Sequence, residues 1–195
     1  LDPSPFDVLV FGPGGVPPPD PYVVEKLDEF VHAGGGLIRI QDPPHVTAQY
    51  YGLASPVTQA VGWTLRAGTQ VVDATSPIVS GLPTTSSLSG YSSVYTLRPD
   101  AQVVKTWNDG VPMTVAYRYG AGRVVYFNDL WAAYPDIWEG DLVYGLTLMD
   151  QTLKYVRAPD HDCNTNQVPD DCDILSGTSE DCTGNYIFNS KNVKD

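Results

Sequence analysis

Apolar residues along the first 158 positions fall into runs with two periods, and the chain reads as strands and helices in turn. Phe6 to Phe11 (FDVLVF) is a short apolar run that predicts a buried strand. Gly12-Pro13-Gly14-Gly15 breaks it, and a Pro-rich loop continues to Pro19. Asp20 is placed to cap a helix with Pro21 at its first position. Val24, Leu27, Phe30 and Val31 then recur at helical spacing and predict one buried face. Gly34-Gly35-Gly36 ends the helix, and Leu37 to Ile40 reads as a second buried strand. Strand, glycine loop, helix and strand make a βαβ unit, so the sheet is expected to begin parallel.

The pattern loosens after Asp42. Gln49 to Trp63 reads as a short helix, Gly68 to Ala74 as a strand, and Ser76 to Pro83 as a turn-rich connection. Ser92 to Leu97 and Ala101 to Trp107 read as strands around a Pro99-Asp100 turn. Met113, Val115, Tyr117 and Tyr119 alternate onto one face. Gly120-Ala121-Gly122 then turns the chain into Arg123 to Phe127, which predicts an antiparallel hairpin. A last helix is expected to carry Leu142, Leu146, Met149, Leu153 and Val156 on its buried stripe. Together these elements predict an α/β domain over 1–158. It has three layers, a mostly parallel sheet flanked by helices, and one antiparallel hairpin. A small loop tail follows over 159–195.

Charge separates the tail from the domain. The 195-residue chain carries a formal charge of −12, and half of it lies in 160–195, where eight acids face two lysines. So acidic a chain with few lysines argues against nucleic acid or an anionic membrane surface as partner. No apolar run approaches the length of a membrane span. All three cysteines, Cys163, Cys172 and Cys182, lie in the tail. That usage points to an oxidising, secreted setting. A Cys163–Cys172 staple is the simplest pairing; Cys172–Cys182 and a link between chains stay open.

The tail also holds the most ordered chemical pattern. From Asp162 to Asp173 (DCNTNQVPDDCD), side-chain oxygens stand at the first, third, fifth, ninth and twelfth places: Asp162, Asn164, Asn166, Asp170 and Asp173. Val168, at the seventh, needs only its carbonyl. This is the oxygen spacing of an EF-hand-like loop, suited to calcium, a hard cation that takes six to eight oxygens. Gln167 replaces the usual turn glycine, and Asp173 the usual bidentate glutamate. The stretch DCNTNQVPDDCDILSGTSED resembles the tandem calcium repeats of planctomycete-type secreted proteins, which are related to dockerin and thrombospondin type 3 repeats. A second unit opens at Asp181 with Thr183 and Asn185, but Lys191 stands where its second cysteine belongs.

The main domain resembles the class I glutamine amidotransferase-like fold, including its ThuA-like branch. FDVLVFGPGG is similar to that family's first strand and glycine loop. HAGGGLIRI is similar to the helix end and strand before its nucleophile elbow, and GAGRVVYFND to its closing strand. The strand that usually opens the fold is expected from another chain or a preceding segment, since only five residues precede Phe6. The resemblance implies a cysteine near Ile40-Gln41-Asp42 and a histidine near Asn128-Asp129, and this sequence has neither. Amidotransferase acyl transfer is therefore not expected. Gln41, Asp42, His45, Asn128, Asp129 and Trp131 remain as a ligand edge at the strand ends, where open α/β sheets bind ligands. The favoured reading is a non-catalytic extracellular calcium-binding structural or assembly protein, associating with itself or with another secreted protein. Its rival is a secreted carbohydrate-binding or hydrolytic ThuA-like protein, with that edge as its sugar site.

Overall fold

The computed structural model describes residues 7–11, 20–40, 52–128 and 142–157. Strands at Val8–Phe11, Gly36–Ile40, Val57–Val71, Thr85–Leu97, Gln102–Trp107, Pro112–Tyr119 and Gly122–Phe127 are numbered β1 to β7 in chain order. Helices at Pro21–His32 and Leu142–Arg157 are α1 and α2. A single 3-10 turn, Pro77–Val79, stands between β3 and β4. The seven strands form one sheet in the order β1-β2-β7-β6-β5-β3-β4.

The opening βαβ unit forms where its pattern predicts, although β1 is a partly exposed edge strand rather than a buried one and Val24 lies outside the core. The Asp20 carboxylate accepts from the Tyr22 N–H at 2.9 Å, and Pro21 fills the first helical position, where no hydrogen-bond donor is needed. β1 pairs with β2 in parallel, Leu9 against Leu37. β2 pairs with β7 in parallel, Ile38 against Val125. β6 and β7 form the expected antiparallel hairpin.

The parallel character stops there. β6–β7, β5–β6, β3–β5 and β3–β4 are all antiparallel, so the sheet is mixed rather than mostly parallel. The short helix expected across Gln49 to Trp63 is also corrected: Val57 to Val71 is a strand. Val57, Val61, Leu65 and Val71, with Thr58, Thr64 and Thr69, supply β-branched and apolar residues suited to a pleated surface. Bulges between Val61 and Thr64 and between Ala67 and Thr69 interrupt the alternation that would have announced it.

Each face of the sheet has its own cover. On one side Ile38, Ile40, Val125 and Phe127 pack with Ile78, Leu148 and Val156, beneath α2 and the 3-10 turn. On the other side α1 covers Leu37 and Val124 through Phe30 and Val31. Where a third layer of helix was expected, the β3–β4 ribbon lies instead. Val57, Tyr95 and Leu97 pack there on Val115 and Tyr126. Met113 joins the α2 side while Val115 and Tyr117 face the other, so the one-faced alternation expected for β6 does not hold.

The buried stripe of α2 is corrected in part: Val156 is buried and Met149 packs on the core as expected, but Leu146 and Leu153 do not. Tyr144, Leu148, Thr152 and Val156 face the core at four-residue spacing, whereas Leu146 and Leu153 are 56% and 39% exposed. Two cations on the sheet explain the choice. Lys105, fully buried on β5, donates to the Tyr144 hydroxyl at 2.5 Å and sits 4.3 Å from its ring centre. Arg123 on β7 lies 5.2 Å from the Tyr155 ring centre. Buried cations need such partners, and leucines cannot supply them.

The ribbon is tethered by an ion pair. Arg66 on β3 donates through Nε to Asp109 at 2.8 Å and through Nη1 to the Ser92 carbonyl and hydroxyl. Burial pushes the Asp109 carboxyl up, but hydrogen bonds from Arg66 and the Val111 N–H, with the Arg66 charge, outweigh it and hold it below its ordinary 3.8.

Two outcomes are expected. Leu148→Ala should cost about 2–5 kcal/mol in urea denaturation, and Leu146→Ala should stay within about 0.5 kcal/mol; equal costs would return the buried stripe to Leu146. The Asp109 pair adds stability above the unfolded carboxyl value and loses it as pH falls through the lower folded value. Asp109→Asn should therefore be less stable than the parent by under about 1 kcal/mol at neutral pH, since Asp109 is half exposed and screened. That gap should close below pH 3.8.

Candidate functional site

β1, β2 and β7 run parallel, so their carboxyl ends, Phe11, Ile40 and Phe127, share one edge of the sheet. Segments 12–19, 41–51 and 129–141 leave from that edge. Four of the predicted edge residues sit at its exits by sequence: Gln41 and Asp42 follow Ile40, and Asp129 and Trp131 follow Asn128. These four and His45 lie outside the described residues, as do Asp162, Cys163, Asn164, Asn166, Val168, Asp170, Cys172, Asp173, Asp181, Thr183 and Asn185 of the tail. Among the described residues no three His, Cys, Asp or Glu side chains converge to hold a metal ion.

Asn128 is described, and its part differs from the one its position implied. It is fully buried. Its amide nitrogen donates to the Ser93 carbonyl at 2.8 Å and to the Pro112 carbonyl at 2.7 Å, and its amide oxygen accepts from the Ser93 N–H at 2.9 Å. Its own N–H donates to the Met113 carbonyl at 2.8 Å. Both amide hydrogens and one oxygen lone pair are thus committed to backbone. Asn128 does not face a ligand; it stitches the ribbon to the carboxyl end of β7 and to β6.

The stitch is part of a wider polar seam. Tyr126 and Tyr95 share a hydrogen bond between hydroxyls at 2.7 Å, with their rings edge to face at 5.2 Å. Ser93, Tyr95 and Tyr126 were not predicted here. Tyr126 alternates correctly along β7, but nothing in its spacing names a partner 31 residues away. On the described side, then, the edge is a hydrogen-bonded rim. Its chemistry would come from the segments that leave it.

Residues 12–136 match the family model of the lacto-N-biose phosphorylase central domain. The chain belongs to that family. A cytoplasmic protein of Salmonella typhimurium shares the fold with a TM-score of 0.58 at 18% identity, over 79% of this chain and 73% of that one. A ThuA-like protein of Bacteroides uniformis matches at 0.56 and 10% identity, over 77% and 69%. The cold-adapted β-galactosidase of Rahnella sp. R3 matches at 0.53 and 17% identity, over 79% of this chain but only 23% of that one. No curated protein sequence matches the chain. These likenesses establish a ThuA-like, glutamine amidotransferase-like fold.

The family match also overturns the favoured functional reading. A calcium-dependent structural or self-assembling subunit was inferred from the tail, whereas the match covers the α/β domain and belongs to a sugar phosphorylase's central domain. The rival, carbohydrate-related reading fits that match.

The stitch carries its own prediction. Asn128→Asp removes both donors and sets a buried carboxylate against two carbonyl oxygens. It should cost on the order of 3 kcal/mol in chemical denaturation. A cost below about 1 kcal/mol, the range of minor surface changes, would mean the stitch is dispensable.

Proposed function

We propose that this chain is a carbohydrate-binding α/β domain that holds a glycan at the carboxyl edge of β1, β2 and β7 and does not itself break the glycosidic bond. The observation that carries the reading is the family match over 12–136, which takes in all three strand exits at that edge. The residue types just beyond the strands agree with it. Sugar rings stack their C–H faces on aromatic side chains and donate their hydroxyls to carboxylates. Trp131 with Asp42 and Asp129 offers both kinds of group. Neither an amidotransferase nucleophile nor its base stands at its expected place, and Asn128 is committed to backbone. Binding without turnover suits a domain that works beside a catalytic unit, and this chain spans 23% of the β-galactosidase whose fold it shares. A secreted location, drawn from the cysteine usage, accompanies the proposal.

Calorimetric titration with lacto-N-biose, galactose and mannobiose, together with chromatography for released sugars, tests it. At least one sugar should bind without being consumed, and Trp131→Ala and Asp129→Asn should each weaken binding by about tenfold, or 1.4 kcal/mol. Release of sugar would contradict the non-catalytic half. No binding to any of the three would contradict the whole.

A further inference from the structure

A groove runs along the flank of α1 beside its core-facing stripe, where Tyr119 also packs on the core. Its floor is that flank of the helix, where Val24, Glu25, Asp28 and His32 recur at three- and four-residue spacing. Leu53 forms one wall and Tyr119 the other, and the groove is shallow and broadly open to solvent, with a volume of about 510 Å³.

Both walls are fixed. The Asp28 carboxylate accepts from the N–H groups of Leu53 and Ala54 at 2.7 and 2.8 Å. Arg98 holds the same turn by donating to the carbonyls of Gly52 and Ser55, each at 2.7 Å. Gly52 has φ of +63°, and a Cβ there would stand 2.6 Å from the Asp28 carboxylate, so glycine is what lets this wall approach the helix. The other wall is set by Gly120, with φ of +60°, where a Cβ would meet the His32 carbonyl oxygen at 2.5 Å. The neighbouring Ala121 N–H donates to that oxygen at 3.1 Å. Tyr119 is thereby held edge to face against His32, with ring centres 5.4 Å apart.

The lining selects a ligand class. Glu29 is engaged by Lys26 and Asp28 by the Leu53 turn, which leaves the exposed Glu25 carboxylate as the acceptor facing the groove. Tyr119 and His32 add an aromatic pair with donor and acceptor atoms. Pro21, Val24 and Leu53 add apolar surface. These carboxylates can accept hydrogen bonds from hydroxyl groups.

We infer that the α1 groove is a second glycan subsite, taking one sugar ring against Tyr119 and Leu53 with its hydroxyls donated to Glu25. The inference rests on the glycan-binding reading and adds to it a place away from the strand edge. Two-dimensional NMR of the full chain titrated with lacto-N-biose tests it. Amide shifts are expected at Glu25, His32, Leu53 and Tyr119. Glu25→Gln, an exposed change, should weaken that response by about tenfold, as loss of a hydrogen bond to a charged group does. Tyr119→Ala should abolish it, and Tyr119→Phe, which keeps the ring, should retain it. Shifts confined to other residues would overturn the groove and leave the glycan-binding reading intact. Shifts on α1 alone would keep the groove and overturn the edge placement. A response reproduced by lysine methyl ester and erased by high salt would mark a cation site and overturn the inference.

Discussion

The carboxamide of Asn128 is the constraint on which the rest of the architecture depends. Just beyond the end of β7, three hydrogen bonds tie it to the backbone of β6 and of a ribbon that begins and ends far away in sequence. A ribbon of Ser, Thr and Gly has too little apolar surface to cover a sheet face by itself. Val57, Tyr95 and Leu97 bring it some, and the Tyr95–Tyr126 hydroxyl pair seals their margin. The stitch fixes the register of that packing.

This arrangement explains how much of the structure was legible in the residues. The βαβ unit and the β6–β7 hairpin could be read because their signals are local: a cap, a helical stripe, a glycine turn, an apolar run. The ribbon could not. Its strands are long and polar, and bulges at Gly62 and Gly68 break their alternation, so Val57 to Val71 shows no clean period of two. α2 misled differently. Leu142, Leu146, Met149 and Leu153 form the more apolar stripe, yet the helix turns Tyr144 inward because Lys105 waits beneath it. Local hydrophobicity lost to a buried charge, and no pattern within the helix records that charge.

Function was harder to read for a related reason. The tail carries the sharpest spacing in the chain, and sharp spacing drew the reading toward calcium and assembly. The domain that defines the family carries its signal as a fold, with loose motifs at Phe6 to Gly15 and Gly120 to Asp129. The edge residues Gln41, Asp42, His45, Asp129 and Trp131 stand just beyond the strand ends, but spacing alone cannot say whether they converge. Asn128 shows the limit: its sequence position is that of a ligand group, and its hydrogen bonds are those of a structural one.

The central claim is that this amidotransferase-like domain recognises sugars. Fluorescently labelled full-length chain applied to a glycan array tests it across sugar classes in one experiment. Retention on a defined subset, displaced by the matching free sugar, is the result expected. Uniform background on every glycan would contradict the account.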